Sequence, residues 1–175
     1  MEKLRKSIHS KFIVLNIELD DEKWNKAIPN SAGWYFITTN TPKSVFYNLT
    51  PPPSEYSNEK GKLKKCRNYN LIARAESHGS EEAKNKIVIP ESDEYAVYSG
   101  YAKKLKNRSR EHTFAHAGTA GLALSNYKEL KSYNWNFHYK TLDDTAIEYE
   151  NHNIVLKLGE QMWRSKYGWP LLCSA

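Results

Sequence analysis

The chain has 175 residues, a net charge of +6 and a pI near 9.1. With 39% hydrophobic and 13% aromatic residues it can bury one core, so a disordered chain is excluded. Its two cysteines, Cys66 and Cys173, are too far apart for the usual zinc spacings or a disulfide scaffold, and both are expected as reduced thiols.

The positive balance suits a phosphate-bearing partner, although many proteins of unrelated function carry as much. The apolar run at residues 12–15 is too short for a signal segment or a membrane span, and the expectation is a cytoplasmic protein with no membrane partner.

Residues 1–30 read as an N-terminal arm. Phe12, Val14, Ile17 and Leu19 suggest a short strand, and Asp20-Asp21-Glu22 starts a helix through Trp24 and Ala27 that Pro29 ends. Residues 33–39, Gly-Trp-Tyr-Phe-Ile-Thr-Thr, are strand formers bounded by Thr41-Pro42.

Segment 41–90 is the least regular. Residues 45–47 suggest a short strand, Pro51-Pro52-Pro53 a stiff extended piece, and 60–67 a basic cluster. Residues 70–75 suit helix or strand equally, 80–86 a short helix, and Ile87-Val88-Ile89 runs into Pro90. So long an excursion between two strands needs structure of its own or a partner.

Residues 94–99 read as a strand closed by Gly100, and 103–114 as a basic helix. A further helix is expected at 122–130 and a strand at 135–139. Asp143-Asp144 then caps an amphipathic helix over 145–166, with Ile147, Ile154, Leu158 and Trp163 at helical separations, and Gly168-Trp169-Pro170 ends it. The pattern predicts an α+β fold in a single domain.

Five residues carry candidate chemistry: Tyr35, Tyr98, Arg108, His112 and Glu160. Arginine stays charged and donates parallel hydrogen bonds, which suits phosphate oxygens. His112, four residues on, falls on the same helical face, where it can hold a phosphate or orient a tyrosine. A carboxylate at Glu160 can hold a divalent cation against phosphate, with Glu148 and Glu150 as rivals. Each has an ordinary reading as well: a solvated basic helix, a packed strand tyrosine, a solvent-facing glutamate. Lys60, Lys62, Lys64, Lys65 and Arg67, with Lys103, Lys104 and Lys106 near the helix start, are candidate DNA contacts. Asn68, Asn70, Arg74 and His78 have side chains that suit base edges.

Gly33-Trp34-Tyr35 resembles the first motif of the GIY-YIG nuclease superfamily, and Tyr98-Ser99-Gly100 resembles the second. The continuation from Tyr101 to Arg108, His112 four residues later and Glu160 after the 135–139 strand fit the same pattern. Trp34 and Ser99 stand where the motifs carry aliphatic residues, and no asparagine follows Glu160.

The resemblance implies a three-stranded antiparallel sheet flanked by helices, with an insertion at 41–90 between the first two core strands that contacts DNA. It implies a type II restriction endonuclease that hydrolyses double-stranded DNA directly. Tyr35 would stand near the attacking water, as the general base proposed for several members. Tyr98 would position that water, Arg108 would stabilise the charged phosphorane, and His112 would orient a tyrosine or phosphate. Glu160 would bind one Mg²⁺, with Mn²⁺ able to substitute. Cutting both strands then takes a homodimer or successive binding by monomers. The alternatives are a phage or repair nicking enzyme of the same fold, and a DNA- or RNA-binding protein without catalysis.

Overall fold

The computed structural model describes residues 1–77, 87, 92–145 and 151–173. The element order is α1 (Glu2–His9), β1 (Ile13–Asn16), β2 (Gly33–Thr39), α2 (Lys43–Tyr47), β3 (Glu55–Ser57), β4 (Leu63–Lys65), α3 (Leu71–Ser77), β5 (Tyr95–Ala102), α4 (Leu105–Thr113), β6 (Trp135–Thr141) and α5 (His152–Tyr167). Short 3₁₀ turns lie at Leu124–Asn126, Lys128–Leu130 and Asp143–Thr145.

A four-stranded antiparallel sheet in the order β1-β6-β2-β5 organises the chain. Strand β2 is central and every one of its residues is buried, as a run of Trp, Tyr, Phe and Ile between two partner strands requires. Alternation along it divides the core in two. Tyr35 and Ile37 face one side, with Val97, Phe137 and Tyr139, Leu71 of α3 and Leu105 of α4. Trp34 and Phe36 face the other, with Leu4 and Ile8 of α1 and Leu156 and Trp163 of α5. On that second face Thr38 bonds both Glu94 and His138, whose ring stacks on Phe36 at 4.2 Å.

Several expected elements differ. Residues 1–30 are no detached arm. Helix α1 buries Leu4 and Ile8, one turn apart, against α5, and β1 adds a fourth strand beside β6 where three were expected. Residues 20–27 form successive turns instead of a helix, because Asp21 caps the Lys23 N–H and Asn25 is tied to Ser109 on α4. Residues 45–47 are helical, with Pro42 at the N-cap and Phe46 alone buried.

The basic cluster at 60–67 is the tip and second strand of a β3–β4 hairpin, and residues 70–75 resolve as helix α3. The helix expected at 122–130 is two 3₁₀ turns. Helix α5 starts at Asn151, whose side chain accepts from two backbone N–H groups, and not at Asp143-Asp144. Its buried residues are Leu156, Gly159 and Trp163, while Ile154 and Leu158 are exposed. The expected helix at 80–86, together with His78, Glu148 and Glu150, lies outside the described residues.

Gly100 does not close its strand. Strand β5 runs on to Ala102, and Gly100 lies within it opposite Tyr35. A bulge where Ile37 pairs with Tyr98 and Thr38 with Ala96 leaves Val97 as the extra residue, a device common beside functional sites.

Candidate active site

Strands β2 and β5 bring Tyr35 and Tyr98 to the same face, because Tyr35 pairs with Gly100 and Ile37 with Tyr98. Helix α4 crosses that face and carries Arg108 and His112 one turn apart. Residues far apart in the chain therefore meet at one point, the Tyr35 hydroxyl. His112 Nε2 lies 2.8 Å from it, and Arg108 Nε–H donates to it at 3.1 Å. The Tyr98 ring lies 4.6 Å from the His112 ring, tilted by 53°, and stacks on Tyr35 at 6.2 Å.

Gly100 makes this meeting possible. A Cβ there would fall 2.6 Å from the Tyr35 hydroxyl and 2.8 Å from its Cζ, so the ring occupies the space a side chain would need. Gly33 serves close packing too, although not for a ligand. A Cβ on Gly33 would meet the Lys140 carbonyl at 2.2 Å, so the backbone of strand β6 fills the space beside it.

The hydrogen-bond network assigns the protons. The Leu122 N–H donates to His112 Nδ1 at 3.4 Å. A nitrogen that accepts carries no proton, so in the neutral ring Nε2 bears it and donates to Tyr35. Burial and the Arg108 charge drive the His112 pKa well below its ordinary value, which keeps that ring neutral. The Tyr35 oxygen thus accepts from two donors and its own O–H is left to donate elsewhere. Burial outweighs the charge and hydrogen bond of Arg108 and pushes the phenol pKa up, so Tyr35 is protonated at neutral pH. In this arrangement Tyr35 is a hydrogen-bond donor, the opposite of the general base that the resemblance implies. Burial likewise pushes the Tyr98 phenol up.

Arg108 is anchored on four sides. Besides Tyr35, it bonds Glu111 at 2.8 Å, the Ala120 carbonyl at 2.6 Å and the Tyr69 hydroxyl at 3.1 Å. Burial works against its charge, but Tyr35, Glu111 and Tyr98 outweigh burial and keep the guanidinium protonated. Its side chain is 19% exposed, whereas Tyr35 is 3% and His112 is 0% exposed. Arg74 lies 3.7 Å over the Tyr69 ring, which itself stacks on Tyr98. Glu111 was findable from its i, i+3 spacing to Arg108. Tyr69 carried no such signal.

Glu160 does not join this group. Helix α5 packs on the second face of the sheet. There Glu160 lines one small cavity with Trp34, Tyr35, Ser99 and Gly100 and pairs with Arg164 at 2.6 Å. Arg164 in turn binds the Ser99 hydroxyl and carbonyl at 3.0 and 3.1 Å. Burial raises the Glu160 pKa and the Arg164 charge opposes that rise. Among the described residues no three His, Cys, Asp or Glu side chains come together as a metal site. Mg²⁺ takes one or two carboxylates beside waters and phosphate oxygens, so Glu160 would exchange its bond to Arg164 in order to serve as such a ligand.

The candidate DNA contacts form two groups beyond opposite ends of α4, a helix about 13 Å long. Lys103 and Lys104 are exposed just before it. Lys60, Lys62, Lys64, Lys65 and Arg67 are exposed on the hairpin, which docks on the loop after the helix. Arg67 N–H donates to the Ala117 carbonyl at 2.7 Å, and Asn68 donates to His116 and Thr119 carbonyls. Lys106 is half-buried and reaches the Lys26 carbonyl at 3.3 Å. Asn70 caps α3 through the Ala73 N–H.

No family model, curated protein or solved structure matches the chain. Among the described residues no helix is long and apolar enough to cross a membrane.

Proposed function

We propose that the protein hydrolyses phosphodiester bonds in double-stranded DNA, as a type II restriction endonuclease, at the site built on Tyr35, Tyr98, Arg108 and His112. The observation that carries the reading is convergence. Four residues singled out by motif and spacing come from two strands and a helix to one hydroxyl. A guanidinium beside a phenolic O–H is a donor pair for the charge that grows on phosphoryl oxygens.

Substrate entry has a structural cost in this proposal. A phosphate reaches Tyr35 when Arg108 exchanges its bond to Tyr69 for bonds to phosphate oxygens. Exposed lysines at both ends of α4 then hold the flanking backbone. The Mg²⁺ requirement rests on the resemblance alone, and no step here runs through Glu160.

Burial favours a second reading, in which the same cluster is only a polar knot that locks α4 to the sheet. Incubation of supercoiled plasmid with the protein separates the two, run with Mg²⁺, with Mn²⁺ and with EDTA. The proposal expects discrete fragments or nicks with metal that Arg108→Ala abolishes. Intact plasmid at every protein concentration and with every metal would leave the polar knot.

A further inference from the structure

We infer that the free edge of β1 is a self-association surface, on which a second copy of the chain adds its own β1 antiparallel to form one continuous sheet. Strand β1 is one of the two edge strands of the sheet and, among the described residues, pairs on one side only, with β6. The bond from Ile17 N–H to the Trp135 carbonyl fixes which backbone groups are used. In an antiparallel ladder hydrogen-bonded residues alternate, so Ile13, Leu15 and Ile17 turn their N–H and C=O toward β6. Phe12, Val14 and Asn16 turn theirs outward.

The edge is apolar as well as unpaired. Ile13 is 51% and Val14 47% exposed, and the strand itself contains no proline or charge to discourage pairing. Such an edge normally finds a partner or aggregates.

Self-complementarity singles out a second copy. Outward groups must meet outward groups, so only registers that pair even residues with even residues are open. With Val14 opposite Val14 of the other copy, Ile13 faces Leu15 on one side of the joined sheet and the two valines meet on the other. The two most exposed apolar side chains of the strand are then covered together.

The ends agree in charge. Arg5 and Lys11 precede the strand and Glu18 and Asp21 follow it, whereas Lys6 and Asp20 are already paired with Glu2 and Lys131. Antiparallel pairing sets the basic end of each copy against the acidic end of the other. A two-fold contact of this kind closes on itself and does not propagate.

The test is the mass in solution of the full chain by sedimentation equilibrium across a hundredfold range of concentration. The expected result is twice the 20.3 kDa chain mass at the top of the range, with dissociation on dilution. Val14→Pro removes an outward N–H and leaves the β6 ladder whole, so it is expected to give monomer throughout with an unchanged circular dichroism spectrum. Val14→Lys, which keeps the N–H and puts like charges across the two-fold axis, should do the same, and 1 M salt should restore part of the association only for this variant. A monomeric wild type at every concentration overturns the inference. So does a dimer that both variants leave intact, since it would use another face. None of these results depends on nuclease activity, so this proposal and the one above fail separately.

Discussion

Acid should unfold this protein early because of two buried neutral histidines. His112 is fully buried, and burial with the neighbouring Arg108 charge holds its pKa well below 6.5. His138 is 7% exposed, and burial lowers its pKa to about 4. Both rings are neutral in the fold and bind a proton near pH 6.5 once the chain unfolds. Folded pKa values lowered in this way mean that stability is full above pH 6.5 and falls as the pH drops below it. For His138 the loss continues down to about pH 4. The His138 ring then costs about 1.4 kcal/mol at pH 5.5 and about 2 kcal/mol at pH 5, a sizeable part of the usual 5–15 kcal/mol. The His112 ring acts in the same direction. Urea unfolding midpoints at pH 8, 6 and 5 measure this. His138→Gln keeps a donor toward Thr38 and cannot titrate, so it should remove about 2 kcal/mol of the acid loss at pH 5. A midpoint that is flat from pH 8 to pH 5, or a His112 resonance that titrates near pH 6.5, would refute the burial and proton assignment at the site.

Gly100→Ala should cost about 1–3 kcal/mol in a thermal melt, because its Cβ would overlap a Tyr35 ring held by His112 and Arg108. The same change in a Tyr35→Ala background should cost under about 0.5 kcal/mol, and equal costs in both backgrounds would mean that the ring is not the obstacle. Tyr69→Phe removes one charged hydrogen bond from Arg108 and should lower stability by about 1–2 kcal/mol in the same melt. Replacing Lys60, Lys62, Lys64 and Lys65 together by alanine should leave the melting temperature unchanged. The slope of log affinity for duplex DNA against log salt should become shallower by up to about 4, and an unchanged slope would remove the hairpin from the interface.

The sequence was clearest where one segment determined its own fate. Residues 33–39 form the strand they predict because four consecutive large β-formers are buried on both faces whichever way they point. Helix α4 and its Arg108–His112 face follow from spacing within one element. What a segment does through a distant partner was less legible. Strand β1 becomes the fourth strand only by pairing with β6, and Gly100 matters because Tyr35 lies across from it. As a lone glycine it reads as a stop.

Residues 45–47 show how a three-residue run of β-formers misleads when a proline stands at the N-cap position. The motifs led to the expectation that Tyr35, Tyr98, Arg108 and Glu160 converge, and it is His112 in place of Glu160 that bonds Tyr35. Tyr69 enters through the packing of the hairpin and α3, which no local pattern announces. Glu160 sits one turn after Leu156 on α5, so its buried side was readable, but the face of the sheet it would meet was not.

The central claim is that the Tyr35 hydroxyl, held by His112 and Arg108, acts on a phosphodiester. Its most direct measurement is the single-turnover cleavage rate of supercoiled plasmid by Tyr35→Phe beside the wild type, with both proteins shown folded at the same temperature. The account predicts a rate lower by about 10²–10³-fold with plasmid affinity nearly unchanged, as loss of one donor to developing charge requires. Tyr35→Phe cleaving at the wild-type rate would contradict it.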